Sequence, residues 1–207
     1  MDILVMLGFI IAINWLCLTL VWLISLKIKD VGIVDIYWGI GFVIMAWACL
    51  LFNLQGNTSA ISQSQWLINI MVTLWGLRLS FHLAARNLGK EEDYRYAAMR
   101  KKSAGDFRII SYFRVFMLQG FLQILIILPV LAIHLYPSAF GLSIFHYFGI
   151  ALWAIGFVYE TAADMQLVNF RSDPSNHNKV LNSGLWRFSR HPNYFGDALQ
   201  WFAFFIF

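Results

Sequence analysis

Apolar residues run almost unbroken through stretches at about 3–26, 33–54, 66–85, 112–136 and 141–163, with polar and charged residues gathered between them. A helix that crosses a bilayer needs about 20 mainly apolar residues, and each stretch meets that length. A further apolar run opens at Pro192 and ends at Phe207, shorter than a comfortable span. Proline suits a first helical turn, where its missing N–H would have no partner in any case. The pattern predicts an all-α fold, a polytopic membrane helix bundle of about six transmembrane helices with the last one incomplete. No internal repeat divides the chain. We therefore expect a single membrane domain over 1–207. The first five spans and their loops fill 3–170, and a motif-bearing loop with the start of the final helix fills 171–207.

Composition agrees. Of the 207 residues 60% are hydrophobic and 13% charged, and mean hydropathy is +0.66. A soluble domain of this size could not hide so much apolar surface. The net charge of +4 is distributed unevenly. Lys27 and Lys29 follow the first stretch, Arg86 to Arg108 the third, and Arg171, Lys179, Arg187 and Arg190 the fifth, whereas 55–65 and 137–140 hold no Lys or Arg. By the positive-inside rule the basic loops are cytoplasmic and the N-terminus outside, an arrangement expected of a bacterial inner-membrane protein. The N-terminal stretch lacks a basic leader and a small-residue cleavage site, so we read it as a retained span. No basic patch interleaved with aromatics suggests nucleic acid. Cys17 and Cys49 read as reduced packing residues, and no His/Cys/Asp grouping has metal-ligand spacing.

Ionisable groups at membrane depth are costly and mark a cavity or a partner. Arg78, His82 and Arg86 are spaced by four, on one helical face, with Asn87 at its exit. Glu160 and Asp164 are again four apart, with Arg171 beyond them and Gly149, Trp153 and Gly156 on the same stripe. Asp35 opens the second stretch, Gln119 and Gln123 pair on the fourth, and Asn193, Gly196, Asp197 and Gln200 share a face of the last. We expect these stripes to converge on a wet pocket open to the cytoplasm. Plainer readings stand beside this one. Gln119 and Gln123 are interhelical hydrogen-bond glue, and the glycines are close-packing devices. His134 and His146 sit at the outer interface, and His177 belongs to ordinary loop chemistry. Lys90–Asp93 with Arg100–Lys102 form a solvated loop helix. Asp35 is either a catalytic acid or a cap and partner for Lys27 or Lys29.

The run Trp186-Arg187-Phe188-Ser189-Arg190-His191-Pro192-Asn193-Tyr194-Phe195-Gly196-Asp197 crowds cations and a histidine against a helix start. Free backbone N–H groups and the helix dipole attract anions there, so this is a candidate site for a phosphate- or carboxylate-bearing cofactor.

Together with Val34-Asp35-Ile36-Tyr37-Trp38-Gly39, Trp75–Arg78, Arg86–Tyr96 and Glu160–Phe170, this run resembles the bacterial branch of the steroid 5-alpha-reductase-like membrane family, in order and over almost the whole chain. Similar Arg-His-Pro runs occur in isoprenylcysteine and phospholipid methyltransferases that use S-adenosylmethionine, which gives an alternative reading as a membrane lipid methyltransferase. The reductase resemblance implies NADPH as cofactor and reduction of a carbon–carbon double bond conjugated to a carbonyl in a hydrophobic lipid or steroid-like substrate. It puts Arg78, Arg86, Asn87 and Arg171 at the cofactor phosphates, Asp164 at the adenosine, and Asn193 and Asp197 at the nicotinamide carboxamide. Arg190, His191 and Tyr194 complete that wall. Asp35 is the implied catalytic acid, but the third-helix position where relatives place a tyrosine is Trp75. Tyr37 lies two residues from Asp35 and points elsewhere on a regular helix. Family members continue with a further Arg-, His- and Tyr-rich segment, so the resemblance also implies a member truncated at the C-terminus, with fewer cofactor contacts and uncertain activity.

Overall fold

A computed structural model describes residues 3–55, 61–136 and 141–207. The described residues are helical, with no strand among them. Their order is α1 (Ile3–Ile28), α2 (Ile33–Gln55), α3 (Gln63–Asn87), α4 (Tyr94–Lys102), α5 (Phe107–Ser111), a π-helical turn (Tyr112–Met117), α6 (Leu118–Ile126), α7 (Leu128–Leu135), α8 (Ile144–Ser172) and α9 (Pro192–Ile206). Five helical segments among the described residues are long and apolar enough to cross a membrane: Ile3–Ile28, Ile33–Leu54, Gln63–Asn87, Phe107–Ile126 and Ile144–Ser172. The chain forms two compact units, Met1–Ala139 and Phe140–Phe207.

In the first unit α1 buries one stripe, Met6, Ile10, Asn14 and Leu18, at intervals of four. Its other faces leave Leu4, Leu16, Leu20 and Leu23 exposed, as a helix in lipid does. The helix stops at Lys29, which takes a left-handed φ of 58°, while the Asp30 N–H reaches back to the Ser25 carbonyl at 3.2 Å. That is the Schellman closure, with a lysine where glycine is usual. The Asp30 carboxylate then accepts the Gly32 N–H at 2.8 Å and sets the turn into α2.

Helices α2 and α3 touch backbone to backbone at Gly39 and Gly76. A Cβ on Gly76 would lie 2.6 Å from the Gly39 carbonyl oxygen, so small residues permit the approach. Gln123 on α6 is fully buried and donates to the Trp38 carbonyl at 3.0 Å, the interhelical glue expected of it. The fourth stretch starts at Phe107 rather than 112, because Asp106 caps it by accepting the Arg108 N–H at 2.9 Å. It is interrupted before Leu128 by Pro129, which occupies the first turn of α7.

His134 is not an interface residue. It is 1% exposed, its Nε2 lies 2.9 Å from Asn69 Oδ1, and its carbonyl accepts from Asn53 at 3.0 Å and Gln65 at 3.3 Å. Because Asn69 Nδ2 donates to the Ala46 carbonyl, Asn69 Oδ1 is the acceptor and the histidine proton sits on Nε2. This knot ties α7 to α2 and α3. Its histidine ring, main-chain carbonyls and amide N–H groups are paired where water is absent.

The second unit is a helix pair. Gly156 on α8 and Gly196 on α9 bring the two backbones into contact. A Cβ on Gly196 would meet Glu160 N at 2.6 Å, and one on Gly156 would meet the Gly196 oxygen at 2.7 Å. Beside them Gln200, fully buried, donates to Glu160 Oε2 at 2.8 Å. Before α9 the chain turns at Gly184, whose φ is +58°, and Gln166 on α8 accepts the Leu185 N–H at 2.9 Å. Trp186 donates its indole N–H to the Ala163 carbonyl at 2.9 Å. These bonds fix the 183–191 segment against α8, and α9 then starts at Pro192 as the sequence predicts.

Candidate functional site

In the second unit the last turns of α8, the loop that follows and the segment before α9 enclose a cavity of about 890 Å³. Arg171, Lys179 and Arg190 supply cations to its lining, His177 and His191 imidazoles, and Trp186 and Phe170 ring surface. Asp173 also lies on the wall and is occupied in part by capping the next turn, accepting the Ser175 N–H at 2.8 Å. The cavity falls in the size range of small-molecule and cofactor sites. Guanidinium and ammonium groups beside flat rings suit a ligand that carries phosphate or carboxylate together with an aromatic base.

The geometry groups part of the expected set. Arg171, Arg190 and His191 share this cavity. Asn193, two residues on, donates to Asp164 Oδ1 at 3.1 Å, and its own buried Oδ1 has no hydrogen-bond partner among the described residues. Tyr194 is exposed and stacks on the His191 ring, centroids 5.0 Å apart and planes 14° apart. Asp197 is half-buried on the following turn. Lys179, His177 and Trp186 join the cavity without having been singled out as ligands in the sequence. His177 lines the cavity from the loop in which the sequence placed it. Its signal was proximity: it lies six residues past Arg171, within one loop of the closing motif.

Asp35, Arg78, Arg86 and Asn87 belong to the first unit. Arg78 and Asn87 are half-buried and Arg86 exposed on α3, and Arg86 Nε donates to Asn87 Oδ1 at 3.0 Å. Asp35 sits in the first turn of α2 and is partnered by neither Lys27 nor Lys29. Tyr96 donates its hydroxyl to Asp35 Oδ1 at 2.8 Å, and Arg95 Nη2 reaches Asp35 Oδ2 at 3.0 Å. Arg95 also grips Asp93 at 2.9 Å.

A second clamp lies alongside. Glu92 accepts the Val31 N–H at 3.0 Å and pairs with Arg100 at 2.7 Å, and the Arg100 guanidinium rests over the Phe107 ring. The segment from Glu92 to Arg100 is thus docked onto the α1–α2 turn rather than free in solvent. Tyr37 is not the partner of Asp35. It is buried with Leu18, Val31, Val34, Val115 and Phe116, and Tyr96 joins the same cluster. The signal for α4 was its Tyr96/Met99 pair, an apolar face three residues apart on a short charged helix.

Electrostatics at α4 follow the contacts. The hydrogen bond from Arg95 holds the Asp93 carboxyl below the usual aspartate range, with the charges of Arg95 and Arg86 adding to it. Burial pushes the Tyr96 hydroxyl well above the ordinary tyrosine range, with the Asp35 charge acting in the same direction. The bond to Asp93 likewise strengthens the hold of Arg95 on its proton.

Residues 21–207 match a family described as a protein of unknown function, DUF1295. The chain belongs to the DUF1295 family. The DUF1295 match begins within α1 and takes in both the Asp35 cluster and the basic cavity. The chain is also similar to an uncharacterized protein of Schizosaccharomyces pombe, 24% identical over 208 residues that cover 90% of this chain and 60% of the yeast protein. It therefore spans about 60% of the length of that curated relative. No solved structure matches the chain.

Proposed function

We propose that this DUF1295 member is an integral membrane reductase that uses NADPH to saturate a carbonyl-conjugated carbon–carbon double bond in a steroid-like or other lipid. The observation that carries the reading is the ring-walled cavity of the second unit, lined by Arg171, Lys179 and Arg190. A dinucleotide with an extra phosphate needs several cations, and guanidinium forks bind phosphate bidentately. It needs flat surfaces for its rings, which Trp186 and the His191–Tyr194 stack offer. The buried, unpartnered Oδ1 of Asn193 is an acceptor suited to a carboxamide N–H. The chain has no GxGxxG turn, so such a ligand would bind by a route unlike the Rossmann one. The family is associated with steroid 5-alpha-reductase-like proteins, which supports the same reading. Under the positive-inside rule the cavity end is cytoplasmic, where the cofactor is available.

The bound cofactor would supply the hydride. The chain's own residues would hold its phosphates through Arg171, Lys179 and Arg190 and orient its carboxamide through Asn193, itself steadied by Asp164. Asp35, whose carboxyl accepts from Tyr96 and meets Arg95, is the candidate acid that would supply the proton to accompany the hydride. Thermal unfolding of the purified chain tests the proposal, since a ligand of the folded state stabilises it by mass action. The reading expects a rise in Tm with NADPH and none with S-adenosylhomocysteine. The reverse result would favour a methyltransferase.

A further inference from the structure

Arg114 lies on the π-helical turn Tyr112–Met117, inside the apolar segment Phe107–Ile126. It is seven residues past Phe107, about 10 Å along the axis at the usual helical rise. The side chain is exposed, and so are its neighbours Phe113, Leu118 and Phe121. The surface around it is therefore one that hydrocarbon would cover. The other arginines at this end of the unit are engaged: Arg95 holds Asp35 and Asp93, Arg100 holds Glu92, and Arg108 holds Asp106 at 2.7 Å. Among the described residues Arg114 makes no ion pair or hydrogen bond. The opposite side of the same turn is packed. Tyr112 reaches Thr19 at 3.1 Å and lies against Trp22 with ring centroids 4.8 Å apart, while Val115 and Phe116 are buried. The turn is thus anchored to α1 and cannot roll to hide the arginine.

A guanidinium in that position can rest only by extending toward the headgroup layer, its stem along the apolar surface and its fork at an anion. The Trp22–Tyr112 pair marks that layer, since such rings collect at membrane–water boundaries. We propose that Arg114 is a binding site for the phosphate of a membrane phospholipid, held against the α1–π-turn face. The partner is a lipid because the approach is apolar and the charge lies below the boundary, where a soluble anion would have to shed its water.

Native mass spectrometry of the purified chain in dodecyl maltoside, titrated with phosphatidylglycerol, tests this for wild type, Arg114→Gln, Arg114→Lys and Lys101→Gln. Arg114→Gln is expected to weaken the tightest lipid about fivefold, the scale of one cation near an anionic headgroup. Arg114→Lys should stay near wild type, and Lys101→Gln, an exposed position in the last turn of α4, should change nothing. Wild type should also prefer phosphatidylglycerol over diacylglycerol, which lacks the phosphate, by about the same factor. That comparison needs no variant and stands even if Arg114→Gln does not fold. Equal binding by Arg114→Gln, an equal loss in Lys101→Gln, no preference over diacylglycerol, displacement of the lipid by millimolar inorganic phosphate, or a lipid-free dimer lost in Arg114→Gln would each overturn the assignment.

Discussion

The Tyr96 hydroxyl lies 2.8 Å from Asp35 Oδ1 and donates to it, joining a short surface helix to the first turn of a membrane helix. Tyr96 is 7% exposed, so no solvent replaces that bond when it is removed. Tyr96→Phe keeps the ring in its apolar cluster and strips only the donor. We expect a loss of about 1–2 kcal/mol, the cost of leaving a largely buried acceptor short of one partner. Chemical denaturation of wild type and variant in the same detergent measures it.

The docking of α4 has a pH window. Asp93 is depressed in the folded chain, so its contribution is present above the ordinary aspartate range, near pH 4, and is lost as pH falls through its lower folded value. Tyr96 is raised, so its contribution is present below about pH 10 and is lost as pH rises through its higher folded value. The stability difference between wild type and Asp93→Asn should therefore be flat near neutrality and shrink toward acid. Thermal unfolding across pH reads it, and a difference that grows on acidification would contradict the assignment.

Two glycines with opposite surroundings separate close packing from mere helix propensity. Gly196→Ala places a methyl 2.6 Å from the Glu160 nitrogen and 2.8 Å from the Gly156 oxygen, both backbone atoms that cannot step aside. We expect a cost of about 2–3 kcal/mol. Gly8→Ala meets nothing within 4 Å on α1 and should be neutral or stabilising by up to about 1 kcal/mol. Thermal midpoints of the two variants, measured side by side, are predicted to move in opposite directions or with only the first displaced.

Much of this architecture was legible because lipid imposes a simple rule on sequence. Apolar runs long enough to span located the long helices, although α8 runs on to Ser172, nine residues past the expected end, and the fourth segment starts five residues early at Phe107; Pro192 marked the start of α9. Gly149 and Gly156 marked the face of α8 that packs on α9, where a Cβ on either would lie about 3 Å from α9 main-chain atoms. What the sequence hid are contacts whose partners lie far apart along the chain. Nothing near Asp35 announces Tyr96, sixty-one residues on. His134 read as interfacial because it ends an apolar run, yet Asn53, Gln65 and Asn69 enclose it from two other helices. The cations of the cavity were visible one by one. Their sharing of one space depends on the turn at Gly184 and the bond from Trp186 to Ala163, which no spacing rule predicts.

The cavity makes a further demand. Lys179 lines it from a loop that has no other task evident in the fold. Lys179→Ala should leave the thermal midpoint of the ligand-free protein within the small range of surface substitutions, about 0.5 kcal/mol. It should weaken binding of an anionic ligand several-fold, a loss that increasing salt reduces. Titration at two ionic strengths checks both parts.

The most direct measurement is equilibrium binding of NADPH, followed by its fluorescence, to the purified chain as wild type and as Arg171→Gln/Arg190→Gln. Two cations withdrawn from a phosphate site should weaken binding about a hundredfold, at about 1.4 kcal/mol for each tenfold step. Saturable binding by wild type with that loss in the variant is the predicted result. Equal affinity in the two proteins, or no binding by a wild type that unfolds cooperatively, would contradict the account.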